Sequence, residues 1–582
     1  MNIAHFVFSP VILPLLGAAL AFFAKAFFKS RWALFWEYTG IFIGLFLPWL
    51  FLFLLLPSLI EGDVYQGIVG GWYKGVGIAY RFDGLAWLVN FLGFSVACAA
   101  WIYSLGAGPR GPQFSSIFLI QTAALAATAM TADLFNLFVC LEVMGLASYI
   151  LVAYSGKPGA FLASFSYLMV SATAMIFFLL GIYGFYRLTG NLSYEGISQG
   201  LSALENGGGT IAQISLALIV AAVALRVAVM PLYGWLPDAH AMAPHAISAV
   251  LSGVLIKTPL FALSRVLLIM PSGAQAGQLL GIAGAITALA AVIIALSQKD
   301  AKRLLAYHSI SQIGYVVCAW GIAMHIGLST PAGSILMTAA FLHALYHALF
   351  KGLLFLSVGT VTDSGAERDV YKLRRGAALL RRSGEFVPVT LITFTLAALA
   401  ISAIPPMNGF ASKAAISYAL KGRWEYILLT LAGIGTVASF IKLSRIFWPK
   451  RKKAITQSQK FPDTSKAGWQ VKPSMLIAEI ILGALCLAGG LAAPAISRFA
   501  GNLLKPEGAN FTINSIPPVL YSLDTLAKTG LITAAGVVLF LLCITPTGGR
   551  ILKVIRERPR SFHGLFLSLA LGIAGMAAWL TL

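Results

Sequence analysis

Three titratable side chains recur at intervals of four residues in the apolar stretch FLHALYHALFKGLLFL. His343, His347 and Lys351 therefore share one face of a helix, because residues four apart are neighbours on a helix surface. Histidine changes its charge near physiological pH, so this ladder suits a water-assisted proton relay. The alternatives are a satisfied structural core and, for the two histidines, a metal site, although no carboxylate or cysteine accompanies them.

Further charges lie within other apolar runs, where a charge is costly and is therefore a functional-site hypothesis. Glu142, in DLFNLFVCLEVMGLASYILV, needs a cationic partner or becomes protonated by desolvation. Lys257, about ten residues into its run, can exchange protons once it is desolvated. Arg226 can bias Glu142 electrostatically but cannot readily release its proton. The alternatives are a structural ion pair for Glu142, a fixed counter-ion for Arg226 and an interfacial lysine for Lys257.

Other candidates surround these groups. Lys413 follows the proline-broken segment IPPMNGFASK and is expected to hand ions to the outer side, unless it is an interfacial lysine. Asp238, His240 and His245 lie in a predicted inside loop and form the expected entrance.

Three further positions carry titratable side chains within or beside apolar runs. His308, in AYHSISQIGY, is a candidate further member of the relay. Asp300, with the two basic residues that follow it in KDAKR, is expected to anchor a helix end. Glu479 lies alone in an apolar run and receives no predicted role.

The elements that must position these groups are membrane helices. The chain has 582 residues, of which 59% are hydrophobic and 10% charged, with a mean hydropathy of +0.86. This balance predicts an all-α polytopic membrane protein with about sixteen transmembrane helices. The predicted runs are 6–28, 32–57, 85–106, 114–131, 134–154, 160–187, 210–231, 246–271, 276–297, 302–325, 333–359, 386–407, 424–448, 474–497, 528–545 and 562–582.

The net charge of +21 does not indicate nucleic acid, because the basic residues lie in short loops between apolar runs. The five cysteines are scattered singly through apolar runs, so no metal, cofactor or disulfide is expected. The basic loops, which include 25–31, 368–382, 450–472 and 550–560, predict an inner (plasma) membrane protein with its N-terminus outside. An outside loop over 58–84 is expected to form a small hairpin cap.

The runs that end MPLYGWLP and IPPMNGFASK are both broken by proline, and such pairs indicate a transporter built from repeats. An odd number of helices per repeat would make the two repeats inverted. The predicted organisation is N-terminal helices and hairpin over 1–113, a first repeat over 114–271, a second over 272–450 and extra helices over 451–582. The breaks fall in the seventh and twelfth runs.

These segments resemble the proton-antiporter-like membrane subunits of complex I (its L, M and N subunits), membrane-bound hydrogenases and Mrp cation/proton antiporters. The resemblance rests on FDGLAWLVNFLG, DLFNLFVCLEVMGLASYILV, PLYGWLPDAHAMAPHAISAVLSGVLIKT, QKDAKRLLAYHSISQIGY, LHALYHALFKGLLFL and IPPMNGFASK, and it covers about residues 80–450. NLFVCLEVMGLASYILV is similar to the Mrp D subunit. The resemblance implies two inverted five-helix repeats, each with half a channel, joined by a charged axis at the membrane midplane.

Three residues depart from the family pattern. Arg226 stands where a lysine is usual, Tyr233 where a histidine is frequent, and Ser166 where a lysine is common. The long tail departs as well. The resemblance implies a subunit that translocates protons, or exchanges Na⁺ or K⁺ for protons, in a multisubunit complex, without a catalytic centre of its own. The alternative is a structural or assembly subunit whose first half-channel is inactive.

Overall fold

The structure of the chain, a computed structural model, describes residues 7–27, 31–69, 77–449, 469–504, 518–557 and 562–581. Within these residues, 13 helices are long and apolar enough to cross a membrane. Three shorter apolar helices accompany them: Ser9–Ala24, Val389–Ile401 and Phe566–Thr581. Every predicted run has a helical counterpart, so the all-α membrane fold is confirmed. The number of spans stays a prediction.

The N-terminal part contains a helical layer and a hairpin. Its helices are α1 (Ser9–Phe27), α2 (Arg31–Ile41), α3 (Leu47–Glu61), α4 (Gly84–Ser104), α5 (Pro112–Met130), α6 (Leu134–Ala153), α7 (Pro158–Thr189), α8 (Tyr194–Ser202) and α9 (Gly209–Val227). A π-helical turn, Phe42–Phe46, joins α2 to α3. Strands β1 (Tyr65–Ile68) and β2 (Ala79–Phe82) pair antiparallel, with Tyr65 opposite Phe82. The predicted hairpin is therefore confirmed.

The remaining helices follow the first break. They are α10 (Leu236–Met242), α11 (His245–Val250), α12 (Thr258–Ile269), α13 (Gly273–Ser297), α14 (Ala301–Ile326), α15 (Pro331–Ser364), α16 (Gly376–Arg382), α17 (Val389–Ile401), α18 (Asn408–Ala419), α19 (Trp424–Ser444), α20 (Pro473–Leu491), α21 (Ala493–Leu503), α22 (Leu523–Cys543), α23 (Pro546–Glu557) and α24 (Phe562–Thr581).

Several membrane helices begin at a side chain that caps their first turn. Asp133 accepts a hydrogen bond from the Asn136 amide at 2.7 Å, and Asp300 accepts one from the Arg303 amide at 2.9 Å. Such caps satisfy amide groups that have no partner within the helix. The expected helix anchor at Asp300 is therefore confirmed, and it fixes where α14 begins.

Helices α13 and α14 pack closely because glycines line both faces. A Cβ atom on Gly284 would lie 2.4 Å from the amide nitrogen of Cys318, and one on Gly314 would lie 2.5 Å from that of Ala288. Small residues let membrane helices approach each other, so that van der Waals packing holds them together. This contact fixes α14, which carries His308, against the rest of the bundle.

Both proline breaks are present, although the helices end earlier than predicted. Helix α9 ends at Val227 rather than at 231, and α17 ends at Ile401 rather than at 407. In each break an alanine adopts a left-handed conformation shortly before a proline: Ala228 has φ of 60° and Ala403 has φ of 58°. That conformation directs the chain out of the helix before the proline is reached.

The run 246–271 was predicted as one continuous helix, but the structure shows a helix with a third break. It consists of α11, a π-helical turn at Leu251–Leu255 and α12, and Lys257 stands at the junction. Pro259 explains the interruption, because it has no N–H to donate to the carbonyl four residues before it. The break therefore lies beside one of the predicted functional lysines.

The C-terminal helices pack onto the rest of the bundle. Helix α22 contacts α19, and α24 contacts α9 and α13. The extra helices therefore extend the bundle rather than forming a separate domain. Of the predicted basic loops 450–472 and 550–560, residues 450–468 and 558–560 lie outside the described residues.

Candidate ion-translocation pathway

The first group of predicted pathway residues forms an ion pair between α6 and α9. Arg226 Nη2 lies 2.7 Å from Glu142 Oε1, and Arg226 Nη1 donates to the carbonyl of Leu141 at 2.9 Å. The arginine side chain is 1% exposed, whereas the glutamate side chain is 38% exposed. Glu142 thus has the cationic partner that its position requires, and its carboxylate also reaches the outer surface of this chain.

Gly145 makes room for the guanidinium. A Cβ atom at this position would lie 2.7 Å from Arg226 Nη1 and 2.7 Å from the Tyr149 hydroxyl. Tyr167 stacks on Trp235 at a ring-centroid distance of 4.0 Å and meets Tyr149 edge-on at 4.6 Å. The arginine is therefore held in a close aromatic setting.

Lys257 is 0% exposed and lies at the third break. The change of register there leaves two carbonyls without their usual amide partners, because Ile256 donates to Leu251 and Lys257 donates to Val254. The lysine Nζ donates instead to those two carbonyls, Ser252 O at 2.5 Å and Gly253 O at 2.8 Å. The ammonium is satisfied by main-chain oxygens alone.

The predicted ladder on α15 is confirmed as one face of one helix. The rings of His343 and His347 stack with centroids 6.2 Å apart and planes 14° apart. His343 Nδ1 lies 2.9 Å from the Ser412 hydroxyl. Both ring nitrogens of His347 lack a hydrogen-bond partner among the described residues. Lys351 Nζ donates to Leu305 O at 2.5 Å. All three ladder residues are 0% exposed.

Lys413 repeats the arrangement of Lys257 at the second proline break. Its Nζ donates to Ile401 O, the last residue of α17, at 2.8 Å, and it lies 4.6 Å from the centre of the Tyr315 ring. The carbonyls at the end of a helix carry partial negative charge, which attracts a cation. The end of α17 and the break beside Lys257 therefore each present main-chain carbonyls to a lysine.

Sequence reasoning missed Lys442, which follows the same rule. It is 5% exposed, and its Nζ donates to Leu296 O at 2.8 Å and to Gln298 O at 2.5 Å, at the end of α13. Lys302 likewise donates to Ala243 O, at the end of α10. The signal in the sequence is weak, because both lysines lie near the predicted ends of apolar runs and resemble interfacial residues.

His308 lies on α14 within the same buried region. Its ring meets that of Phe440 at 4.9 Å, and neither ring nitrogen has a hydrogen-bond partner among the described residues. The hydroxyl of the neighbouring Ser309 lies 2.6 Å from that of Ser252, beside the break that holds Lys257. The geometry thus brings His308 towards the pathway.

The three predicted entrance residues do not lie in a loop. Asp238 and His240 belong to α10, and His245 begins α11, because a short helix forms directly after the break. Asp238 Oδ1 pairs with Arg303 Nη2 at 2.7 Å and is half-exposed. His240 is 0% exposed and stacks on Phe355 at 5.1 Å. His245 Nε2 lies 3.4 Å from Asp363 Oδ1. Only Asp238 stands at the surface.

A second ion pair, also missed by sequence reasoning, joins the hairpin end of the fold to α12. Arg265 donates to both oxygens of Asp83, at 2.6 and 2.7 Å, and Asp83 also caps α4. Burial alone would raise the pKa of Asp83, but the charges of Arg265 and Arg81 hold it well below its usual range. The pair borders a cavity of about 1090 Å³ that is also lined by Glu195.

The fold and the site together define a polytopic membrane protein with a buried axis of lysine, histidine and arginine side chains. Residues 131–442 match the family described as "NADH:quinone oxidoreductase/Mrp antiporter, TM". The chain belongs to this family, so the resemblance drawn from the motifs is confirmed.

Individual relatives agree with this assignment. The chain is 31% identical to the N subunit of the NADH-quinone oxidoreductase of Desulforudis audaxviator, over 74% of this chain and 85% of the relative. It is 28% identical to the D subunit of the Na(+)/H(+) antiporter of Alkalihalophilus pseudofirmus, over 85% of this chain and 96% of the relative. A chain of the Mrp complex from Dietzia sp. has the same fold, with a TM-score of 0.73, 22% identity, and coverage of 90% of this chain and all of that chain.

Proposed function

We propose that this chain is an ion-translocating subunit of a multisubunit membrane complex and that it moves protons, or exchanges a monovalent cation for protons. The observation that carries the proposal is the chemistry of Lys257, Lys351 and Lys413. Each is buried and donates to main-chain carbonyls. Among the described residues, none of them forms a salt bridge with a carboxylate.

This setting favours proton exchange for a physical reason. Burial disfavours the charged form of an ammonium group, and a carboxylate partner would restore it. Carbonyl dipoles orient the group without neutralising its charge. A lysine held in this way can lose and regain a proton at moderate cost, whereas an ion-paired lysine cannot.

The proposed pathway runs through one buried region of the bundle. The ammonium groups of Lys257, Lys351 and Lys413 lie close enough to His347 to act on its ring electrostatically. The order from the inside is the entrance residues, the Glu142–Arg226 pair and Lys257, then His308 and the α15 ladder, and finally Lys413. Among the described residues, no hydrogen bond joins Arg226 to Lys257, so water must complete that step.

The overall organisation extends the same proposal. The two breaks, at α9 and α17, support two inverted five-helix repeats, over 114–271 and 272–450, flanked by 1–113 and 451–582. The named relatives are subunits of larger assemblies, which supports membrane subunits as partners and as the source of energy. The excess of basic loops supports a cell inner membrane location with the N-terminus outside.

The test is proton movement by the reconstituted complex in lipid vesicles, measured with an internal pH indicator. We expect Lys257→Met to abolish proton movement while the complex still assembles. The control is Lys528→Met, which removes a lysine that is half-exposed on α22. Repeating the assay with Na⁺, K⁺ or neither identifies the coupled ion. Normal proton movement in the assembled Lys257→Met complex would contradict the proposal.

A structural or assembly role is the second candidate, and one observation favours it. Arg226 is fixed by both Glu142 and the Leu141 carbonyl, as expected of a locked first half-channel. In that case Lys257→Met would leave ion movement by the complex unchanged and would affect only subunit content. Subunit composition of the purified complex, measured alongside transport, separates the two roles.

A further inference from the structure

Glu479 lies on α20, outside both proposed repeats, and is 0% exposed. Its Oε1 is 2.7 Å from the Thr360 hydroxyl on α15, and its Oε2 is 3.1 Å from the Thr393 hydroxyl on α17. The Thr390 hydroxyl also faces it. A carboxyl group at this depth is therefore surrounded by hydroxyl groups contributed by two other helices.

No basic side chain balances this carboxyl group within the described part of the chain. Glu142 and Glu425 each pair with an arginine, and Glu425 is as deeply buried as Glu479. Glu479, in contrast, forms no salt bridge among the described residues. The titratable group that acts on it directly is Glu385, in the loop before α17, which carries the same charge. From α4, Tyr103 completes the polar surroundings.

The Thr360 hydroxyl has three polar neighbours, and the number of hydrogens available decides which of these contacts are hydrogen bonds. The Thr360 hydroxyl oxygen lies 3.1 Å from the Tyr103 hydroxyl, 3.1 Å from Leu356 O and 2.7 Å from Glu479 Oε1. Tyr103 and Thr360 supply one hydrogen each, so all three contacts are hydrogen bonds at the same time only when Glu479 carries a hydrogen. A threonine hydroxyl accepts two hydrogen bonds and donates one, so it meets all three contacts when Glu479 is protonated.

The ionised form can be satisfied as well. If Thr360 rotates its hydrogen from Leu356 O to Glu479, and Thr393 donates to the other oxygen, each carboxylate oxygen accepts one hydrogen bond. Leu356 O keeps its place in the α-helix. The two protonation states therefore differ by rotation of hydroxyl groups, with no movement of the backbone.

A chain of polar groups leads from Glu479 towards the loop that follows the basic helix α16. Glu385 is 3% exposed and accepts a hydrogen bond from the Thr390 amide at 2.6 Å. Glu385 Oε2 and the Thr390 hydroxyl are buried and have no hydrogen-bond partner among the described residues. Burial raises the pKa of Glu385, and the hydrogen bond from the Thr390 amide offsets part of that rise. Unused hydrogen-bonding capacity at both groups is what a proton needs to pass between them.

We propose that Glu479 is a proton-exchanging site, separate from the lysine–histidine axis, that is loaded through Glu385 and Thr390. Thr360, which holds the site, lies about 13 Å further along α15 than Lys351. The site therefore stands between the basic loops and the axis, as a side branch that holds one proton.

The experiment is infrared difference spectroscopy of the purified complex in lipid, comparing acidic with alkaline samples between about pH 5 and pH 9. We expect a protonated-carboxyl band that Glu479→Gln removes. The matched control is Glu425→Gln, which removes a buried glutamate paired with Arg423 and should leave the band intact. Thr360→Val should shift the band, because the hydroxyl that accepts the proton is lost, and Thr360→Ser should leave it in place.

The proposal is overturned if no pH-dependent carboxyl band disappears in Glu479→Gln, or if that band is present but does not change with pH. If Glu479→Gln does not assemble, the Thr360→Val and Thr360→Ser pair decides: equal spectra for both variants overturn the proposal. The readout does not depend on transport. A complex that fails to move protons but shows the band would therefore contradict the proposed function and leave this inference standing.

Discussion

The Arg226–Glu142 pair in the first half of the buried axis and the lysines of the second half satisfy their cations in opposite ways. Between α6 and α9, Arg226 meets the carboxylate of Glu142 and the Leu141 carbonyl. Around α15 and α18, Lys351 and Lys413 donate to main-chain carbonyls and lie over aromatic rings, with no carboxylate partner among the described residues. His347 has unpartnered ring nitrogens among the same residues. A carboxylate neutralises a buried cation, whereas a carbonyl dipole only orients it.

This difference indicates which cationic groups are free to exchange protons. Removing one partner of a fully buried ion pair costs about 3–5 kcal/mol, and the cost is lower for the Arg226–Glu142 pair because Glu142 is 38% exposed. A hydrogen bond to a charged group contributes about 1.5–3 kcal/mol, so a lysine on carbonyls changes partners at lower cost. The Arg226–Glu142 pair is therefore the more fixed, and the carbonyl-held lysines, Lys257 included, are the more responsive to a proton.

After the loss expected from Lys257→Met, the largest expected effect is that of Lys351→Met. Without the ammonium the α15 ladder loses its last member, and we expect proton movement in vesicles to fall by about 100-fold or more. Lys421→Met, which removes an exposed lysine beside α18, is the control and should be silent. Retained transport in an assembled Lys351→Met complex would mean that the second half is not a relay.

A smaller loss is expected from His347→Gln. The amide keeps a polar group on the helix face but cannot take up a proton, so transport should fall by about 10-fold. His325→Gln, at the exposed end of α14, is the matched control. Equal rates for the two variants would show that the stacked histidines serve packing alone.

Arg226→Lys tests the first half directly. A lysine keeps the charge next to Glu142 but can release its proton, so we expect transport to rise on the order of threefold. The measurement is the initial rate of proton movement, normalised to the amount of assembled subunit. If the rate is unchanged or abolished, the view that arginine merely slows a relay is wrong.

The smallest effect on transport is expected from Gly145→Ala. Its added methyl group would press on the guanidinium and on the Tyr149 hydroxyl, so thermal unfolding of the complex should show a loss of about 1–3 kcal/mol. Transport should change by less than about twofold, because the pair carries charge in both variants. Adding Arg226→Lys should restore part of the lost stability, since lysine has no guanidinium at that position and only the contact with the Tyr149 hydroxyl remains. If the double variant is no more stable than Gly145→Ala alone, the loss of stability does not come from the contact with the guanidinium.

Local patterns were predictable from the sequence. The spacing of His343, His347 and Lys351 predicted one helix face, and the stacked rings confirm it. The prolines predicted both breaks. The third break, at Lys257, was missed although Pro259 signals it, because the apolar run around it continues without interruption. Helix ends were misplaced for the same reason: hydropathy does not register where the backbone leaves the helix.

Long-range partners were not predictable. Arg226 was expected to influence Glu142, but the Leu141 contact and the space left by Gly145 come from tertiary packing. Lys442 meets a carbonyl 146 residues away in sequence, and Glu479 meets a threonine 119 residues away. Neither partner can be read from the residues around the charge.

The sequence by itself determined that charged groups lie within membrane helices, and which of them share a helix face, because helical periodicity and proline chemistry are local. Only the tertiary structure decided how each charge is satisfied: a carboxylate for Arg226, carbonyls for the lysines and hydroxyls for Glu479. The physical reason is that the cost of a buried charge depends on what packs against it, and those groups come from distant parts of the chain.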